Sequence, residues 1–282
     1  MKICISAEST VDLTQELLEK YNIKTLPFGV YLKDELKYDG EVKANDIIDF
    51  VSQNKILPKT SAINSYQFQE YFTELKKEYD AIIHFSLSSE MSCACANAKE
   101  AAKEFENVYI IDSRTLSTGI ALLCISARTM ADSGMEAQDI VKKVNKRIPF
   151  VQASFVLERL DYLFKGGRCN SLQLLGANLL KLKPQILVTN GKMASAKKFR
   201  GKMDDCVKKY CEAVVEEFNN PDKSVAFLTF TTATEEMKNA AREVLKNAGF
   251  QTIYETTAGA TITSHCGEHC LGILYINDGG EF

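Results

Sequence analysis

The sequence has no tryptophan, only three histidines and five prolines, and no marked excess of either charge. Its 34 Lys and Arg stand against 37 Asp and Glu, a formal charge of -3. Nucleic-acid binding draws affinity from cations gathered against phosphates, and this balance gives no general basic field for it. Apolar runs such as Ile120 to Ile125 stop far short of the roughly 18 residues that suggest a membrane span. The start, Met1-Lys2-Ile3-Cys4-Ile5-Ser6, reaches Glu8 before an apolar region of secretory length forms. These absences predict a soluble cytoplasmic chain with no nucleic-acid partner and no stable membrane insertion.

Nucleotide signatures are missing as well. There is no G-x-x-x-x-G-K-[ST] loop, no G-x-G-x-x-G turn and no obvious acidic magnesium cluster, so an ATP site in this polypeptide is not expected. The nine cysteines are odd in number and follow no framework spacing, which reads as reduced thiols packed as small hydrophobes.

What is present suits a globular protein. Over 282 residues, 45% are hydrophobic and 25% charged, enough for one large or two ordinary domains. Through about residue 150, short β-rich runs (Ile3 to Ser6, Ala81 to Ser86, Val108 to Ile111) alternate with helical patterns (Leu13 to Tyr21, Ala94 to Phe105, Ile120 to Met130). That alternation predicts βαβ units and a parallel sheet. Phe68, Phe72 and Leu75 predict an amphipathic helix capped by Asn64 or Ser65. A further helix, Ile140/Val141/Val144, leads to Pro149.

Beyond Pro149 the texture changes. Ala153 to Glu158 predicts a strand, Leu160/Leu163/Phe164 a short helix ended by Gly166-Gly167, and Leu172 to Leu182 an apolar helix capped by Ser171. Asn190-Gly191, between Gln185–Thr189 and Met193–Phe199, is a strong two-residue hairpin signal. A helix over Met203 to Phe218 and strands at Val225 to Phe230, Gln251 to Glu255 and Leu271 to Ile276 complete the pattern. The fold expected is α/β in two domains: 1–149 an N-terminal α/β/α unit with a parallel sheet, 150–282 a C-terminal α+β unit with a mixed or antiparallel sheet.

Several short segments then stand out in order. They are Ser9-Thr10-Val11-Asp12-Leu13, Lys59-Thr60-Ser61, Ser88-Ser89-Glu90-Met91-Ser92, Ile111-Asp112-Ser113 and the run from Asp161 to Arg168. Leu182-Lys183-Pro184, Asn190-Gly191-Lys192, Lys198-Phe199-Arg200 and His265-Cys266-Gly267 follow. Together, and across the whole chain, they resemble the DegV family, which includes the fatty-acid-binding subunits of bacterial fatty acid kinases. The resemblance implies a lipid-sized slot between two α/β domains, with a long-chain fatty acid buried mainly in the second and its carboxylate near the interface. By position, Thr60, Ser92 and His265 resemble the carboxylate-binding groups, and Arg168 and Arg200 the basic residues that face phosphate or a separate ATP-dependent kinase. It implies a carrier without chemistry or cofactor of its own. The chain departs from the family's common pattern at Glu8, at Cys93 and at Gly267-Glu268-His269, where Asp, Gly and Gly-Pro-Gly are usual.

The chemistry agrees with that assignment. A carboxylate taken out of water needs donors, and hydroxyls and an imidazole supply them. Burying roughly sixteen methylenes at ~0.8 kcal/mol each offers on the order of 13 kcal/mol before ordering costs. Leu172, Leu174, Leu175, Leu179 and Leu180 suit a tunnel wall or an ordinary core equally well.

Each of these residues also has a plainer reading: Thr60 a strand edge after Pro58, Ser92 a helix cap, His84 a core group, Arg168 a cation at a helix end and Arg200 a solvated strand end. Two other functions compete. His265-Cys266-x-x-His269-Cys270 offers four zinc ligands in six residues, although ligands so close in one segment rarely close a tetrahedral site alone. A Ser/His acyl hydrolase would use Ser92 or Cys266 with His265 as base. Against it, there is no G-x-S-x-G elbow, and adjacent residues on a strand point apart, which separates Cys266 from His265.

Overall fold

The computed structural model describes residues 1–169 and 182–281. The expected helix over 172–182, with its Ser171 cap and its five tunnel leucines, falls outside the described residues except for Leu182. In the first half the strands are β1 (Ile3–Glu8), β2 (Ile23–Leu26), β3 (Gly29–Leu32), β4 (Glu35–Tyr38), β5 (Lys59–Ser61), β6 (Ala81–Ser86) and β7 (Val108–Asp112). The helices are α1 (Gln15–Lys20), α2 (Ala44–Asn54), α3 (Ser65–Lys76), α4 (Ala94–Ala102), α5 (Thr118–Asp132) and α6 (Ala137–Arg147).

Four strands form a parallel sheet in the order β2-β1-β6-β7. All six residues of β1 and of β6 are buried, as the central strands of a covered parallel sheet should be. The βαβ expectation is met, and α3 begins at the predicted cap, where the Asn64 side chain accepts from the Gln67 amide. A second, three-stranded antiparallel sheet, β4-β3-β5, was not expected.

The second half holds β8 (Val151–Val156), α7 (Asp161–Lys165), β9 (Lys183–Thr189), β10 (Lys192–Phe199), α8 (Met203–Glu217) and β11 (Val225–Phe230). It ends with α9 (Glu235–Asn247), β12 (Thr252–Thr257), α10 (Ala260–Cys266) and β13 (Leu271–Ile276). Its sheet is mixed, in the order β10-β9-β8-β13-β11-β12, with β11 and β12 parallel and the other neighbours antiparallel. Asn190 and Gly191 both adopt positive φ, 51° and 81°, the backbone a type I′ hairpin needs.

The two faces of this sheet serve different cores. Leu271, Ile273 and Tyr275 of β13 pack with α8 and α9, while Leu274 and Ile276 point to the opposite face. That opposite face meets α5, which packs against β1 and β6 on one side and β8, β11 and β13 on the other. A helix enclosed by two sheets must be apolar all round, and every residue from Thr118 to Ile125 is buried. The core therefore runs without a break from the first sheet to the second. Among the described residues, no helix is long and apolar enough to cross a membrane.

Candidate functional site

A cavity of about 550 Å³, measured to its open mouth, lies where the two halves meet. Its polar lining comes from Thr60, Ser92, Arg168, Thr261 and His265, and the rest is chiefly apolar, including Phe28, Leu87, Met91 and Leu163. A second chamber of about 350 Å³ shares Leu116, Ile262 and Cys266 with the first. It runs towards Phe155 and Leu274 on the inner face of the mixed sheet. Gly272 lines this chamber, and a Cβ there would lie 2.6 Å from the Ser154 carbonyl oxygen, so glycine is what lets the two strands close behind it.

Four of the five sequence-predicted site residues meet in the first cavity. Thr60 lies on β5, an edge strand as its plainer reading had it, and its Oγ1 is 2.9 Å from His265 Nε2. His265 lies one residue before the end of α10. The sequence reading set His265 and Cys266 on a strand; here they close a short helix, stopped by Gly267 at φ 71°. Burial, and then the positive charge of Arg168, push the His265 imidazole down to about 4. It is therefore neutral at pH 7 and able to donate from only one nitrogen. Its Nδ1 has no hydrogen-bond partner among the described residues and faces the backbone of Gly166, where an added Cβ would sit 2.4 Å away.

Ser92 precedes α4, and its Oγ accepts from the Ala94 amide at 3.2 Å, so it supports the helix start while lining the cavity. Arg168 is exposed and donates to the Gly166 carbonyl at 2.6 Å, binding a helix-end carbonyl while its side chain borders the cavity. Arg200 is exposed just beyond β10 and is not among the lining residues of either chamber.

Sequence reasoning missed Thr261. It is 3% exposed, lines the first cavity, and its hydroxyl has no partner among the described residues. Its spacing of four from His265 puts both on one helix face, a signal usable only once α10 is known. Glu8 lies outside the site, buried between strands, accepting from Ser86 Oγ at 2.5 Å and the Leu87 amide at 2.8 Å. His84 stands 3.4 Å from Glu8 in the core among Phe68, Tyr71 and Phe72, as its plain reading had it.

The competing chemistries find little support. His265 turns Nε2 to Thr60 and His269 turns Nδ1 to Glu158, so the two imidazoles of the zinc pattern engage different partners. No group of three or more metal-ligating side chains gathers among the described residues. A hydrolytic histidine is usually oriented by a hydrogen-bonding side chain on its second nitrogen, whereas here that nitrogen meets the backbone of Gly166.

The sequence profile of the DegV family, described as uncharacterised, matches residues 2–278. This chain belongs to the DegV family. A Thermotoga maritima relative named as a fatty acid-binding protein is 28% identical over 283 residues, 96% of this chain and 96% of its own. The structure of Bacillus subtilis DegV, described as a fatty acid binding protein, superposes with a TM-score of 0.86 at 25% identity, covering 98% of this chain and 99% of the other. A Thermus thermophilus DegV protein, studied for fatty acid binding, shares the fold at a TM-score of 0.90 and 23% identity, covering 98% of this chain and all of the other. The two-domain DegV fold is thus the architecture of this chain.

Proposed function

We propose that this DegV protein binds one long-chain fatty acid non-covalently and presents its carboxylate to a separate kinase. The observation that carries the reading is the contrast between the two adjoining chambers. Hydroxyls, an imidazole and a guanidinium cluster at one end, and apolar side chains dominate the continuation towards the mixed sheet. A carboxylate fits the first set and an alkyl chain the second. The polar side chains that enter the second chamber are satisfied from within: Thr231 donates to the Gly267 carbonyl and Ser117 to Asp12, so an alkyl chain there deprives them of nothing.

In this reading His265 works largely through Thr60. With Nε2 protonated, the imidazole donates to Thr60 Oγ1, leaving the threonine hydroxyl hydrogen free for the ligand carboxylate. Ser92 and Thr261 offer two further hydroxyls, and Arg168 supplies the compensating charge at the mouth. Acyl phosphate formation belongs to a partner, because the chain carries no nucleotide loop. Exposed Arg168 and Arg200 are suited to face that partner or its phosphate.

Native mass spectrometry of the purified protein, paired with mass analysis of its organic extract, tests the carrier reading. One fatty acid per chain is the expected result. A protein that is empty and also refuses added palmitate removes it. Adding ATP and a bacterial fatty acid kinase tests presentation, with acyl phosphate expected only when all components are present.

A further inference from the structure

The Ser9-Thr10-Val11-Asp12 segment, prominent in the sequence, lines neither chamber. The Ser9 and Asp12 side chains are engaged elsewhere. Helix α10 is only seven residues long and starts from Gly259, which has no side chain with which to cap its own amides. The first half of the chain supplies the cap. Gly259 N donates to Asp12 Oδ1 at 2.7 Å, Ala260 N to Asp39 Oδ1 at 2.7 Å and Thr261 N to Asp39 Oδ2 at 3.3 Å.

Both carboxylates are themselves fixed. Ser9 Oγ donates to Asp39 at 3.1 Å and accepts the Phe28 amide at 3.0 Å, and Ser117 donates to Asp12. Burial, with a contribution from the Asp39 charge, pushes the Asp12 carboxyl up to about 8. Gly259 is required for the approach, since a Cβ there would sit 2.6 Å from Asp39 Oδ1.

Asp39 directly follows β4, and Thr60 lies on β5 of the same small sheet. That sheet therefore holds α10 at both ends, by Asp39 at its first amides and by Thr60 at His265. A single short helix, rising ~1.5 Å per residue, transmits the position of one end to the other.

We propose that Asp39, supported by Asp12, is a positioning residue for the head-group site: it fixes the start of α10 and so sets where Thr261 and His265 stand against a bound carboxylate. The inference deepens the fatty-acid reading and rests on it for the ligand, while the geometry of the clamp is independent of any ligand.

The test uses the full chain with Asp39→Ala, and with Asp39→Asn as a milder variant that keeps one acceptor oxygen. Palmitate and hexadecanol are compared, since they share a tail and differ in head group. Asp39→Ala is expected to weaken palmitate about tenfold, a loss of the size of one hydrogen bond, and to leave hexadecanol within about twofold. In a Thr261→Val/His265→Ala background the same change should add little, because both groups it positions are gone. Equal losses for acid and alcohol, or full additivity with the Thr261→Val/His265→Ala pair, overturn the inference. An independent readout is the ¹⁵N NMR titration of the His265 ring without ligand. Its midpoint should rise from near 4 towards the ordinary histidine value in Asp39→Ala, with Asp39→Asn between. An unchanged titration rejects the clamp even if no fatty acid binds, whereas loss of palmitate binding in the wild type rejects the ligand reading instead.

Discussion

Thr60 and His265 are 205 residues apart in sequence, yet Thr60 Oγ1 and His265 Nε2 meet at 2.9 Å. The contact joins an edge strand of the small sheet to the last turn of α10, so it ties the two halves together beside the first cavity. Thr60→Val keeps the shape and β-branching while removing the hydroxyl. It is expected to leave Nε2 unpaired, costing about 1–3 kcal/mol of stability, and to weaken palmitate by a comparable factor. Urea unfolding and calorimetric titration on the same preparation measure both effects. Full palmitate affinity in a destabilised Thr60→Val protein would show the contact to be structural alone.

The depressed imidazole of His265 makes a signed prediction for pH. Its folded value of about 4 lies below the ordinary 6.5, so the unfolded chain takes up the proton first as pH falls. The stabilising contribution is complete above about pH 6.5 and is lost as pH falls from there to about 4. His265→Gln retains a side-chain amide and does not titrate. Between pH 7 and pH 4.5 the wild type should lose about 2 kcal/mol more than His265→Gln. Denaturant unfolding at the two pH values measures the difference, and parallel losses contradict the assignment.

Thr261→Val should move stability and affinity in opposite directions. The native hydroxyl is buried without a partner among the described residues, so its removal relieves a desolvation cost. Valine matches the shape and the branching within the helix. The thermal midpoint is expected to hold or rise, while palmitate affinity falls by about tenfold, one hydrogen bond to the head group. A gain in stability with unchanged affinity would assign the vacant hydroxyl to no ligand.

These side chains were not equally legible in the sequence. Ala81–Ser86, with Ile82, Ile83 and Phe85 at its centre, is a strand from end to end, and Asn190-Gly191 specifies its hairpin through the positive φ both residues tolerate. Local chemistry decides such elements. The small sheet escaped because β3 and β4 are four residues each and β4 carries Glu35 and Lys37, too short and too polar for alternation to register. α10 escaped for another reason. Ala-Thr-Ile-Thr-Ser-His-Cys is rich in β-branched residues and weak in helix propensity, and its cap comes from Asp12 and Asp39, more than 200 residues upstream. Thr60, Ser92 and His265 were placed by their resemblance to family motifs, whereas Thr261 stayed hidden because its role depends on the helix that tertiary contacts impose.

Cys266, only 5% exposed, lines both chambers, as do Leu116 and Ile262. If a fatty acid tail passes from the head-group cavity towards Phe155 and Leu274, it must cross this point. Cys266→Leu adds bulk at the junction without adding charge, and core overpacking of this size typically costs 1–3 kcal/mol, which a domain of ordinary stability survives. The effect should depend on chain length. An acid of roughly eight carbons, held chiefly in the first cavity, should bind about as before. One of roughly sixteen should lose most of the affinity its distal methylenes contribute, at ~0.8 kcal/mol for each one left unburied. Competition titrations over a series of acids measure the profile. A uniform loss across the series would mean that the tail takes another path, and the second chamber would then be ordinary packing space beneath the mixed sheet.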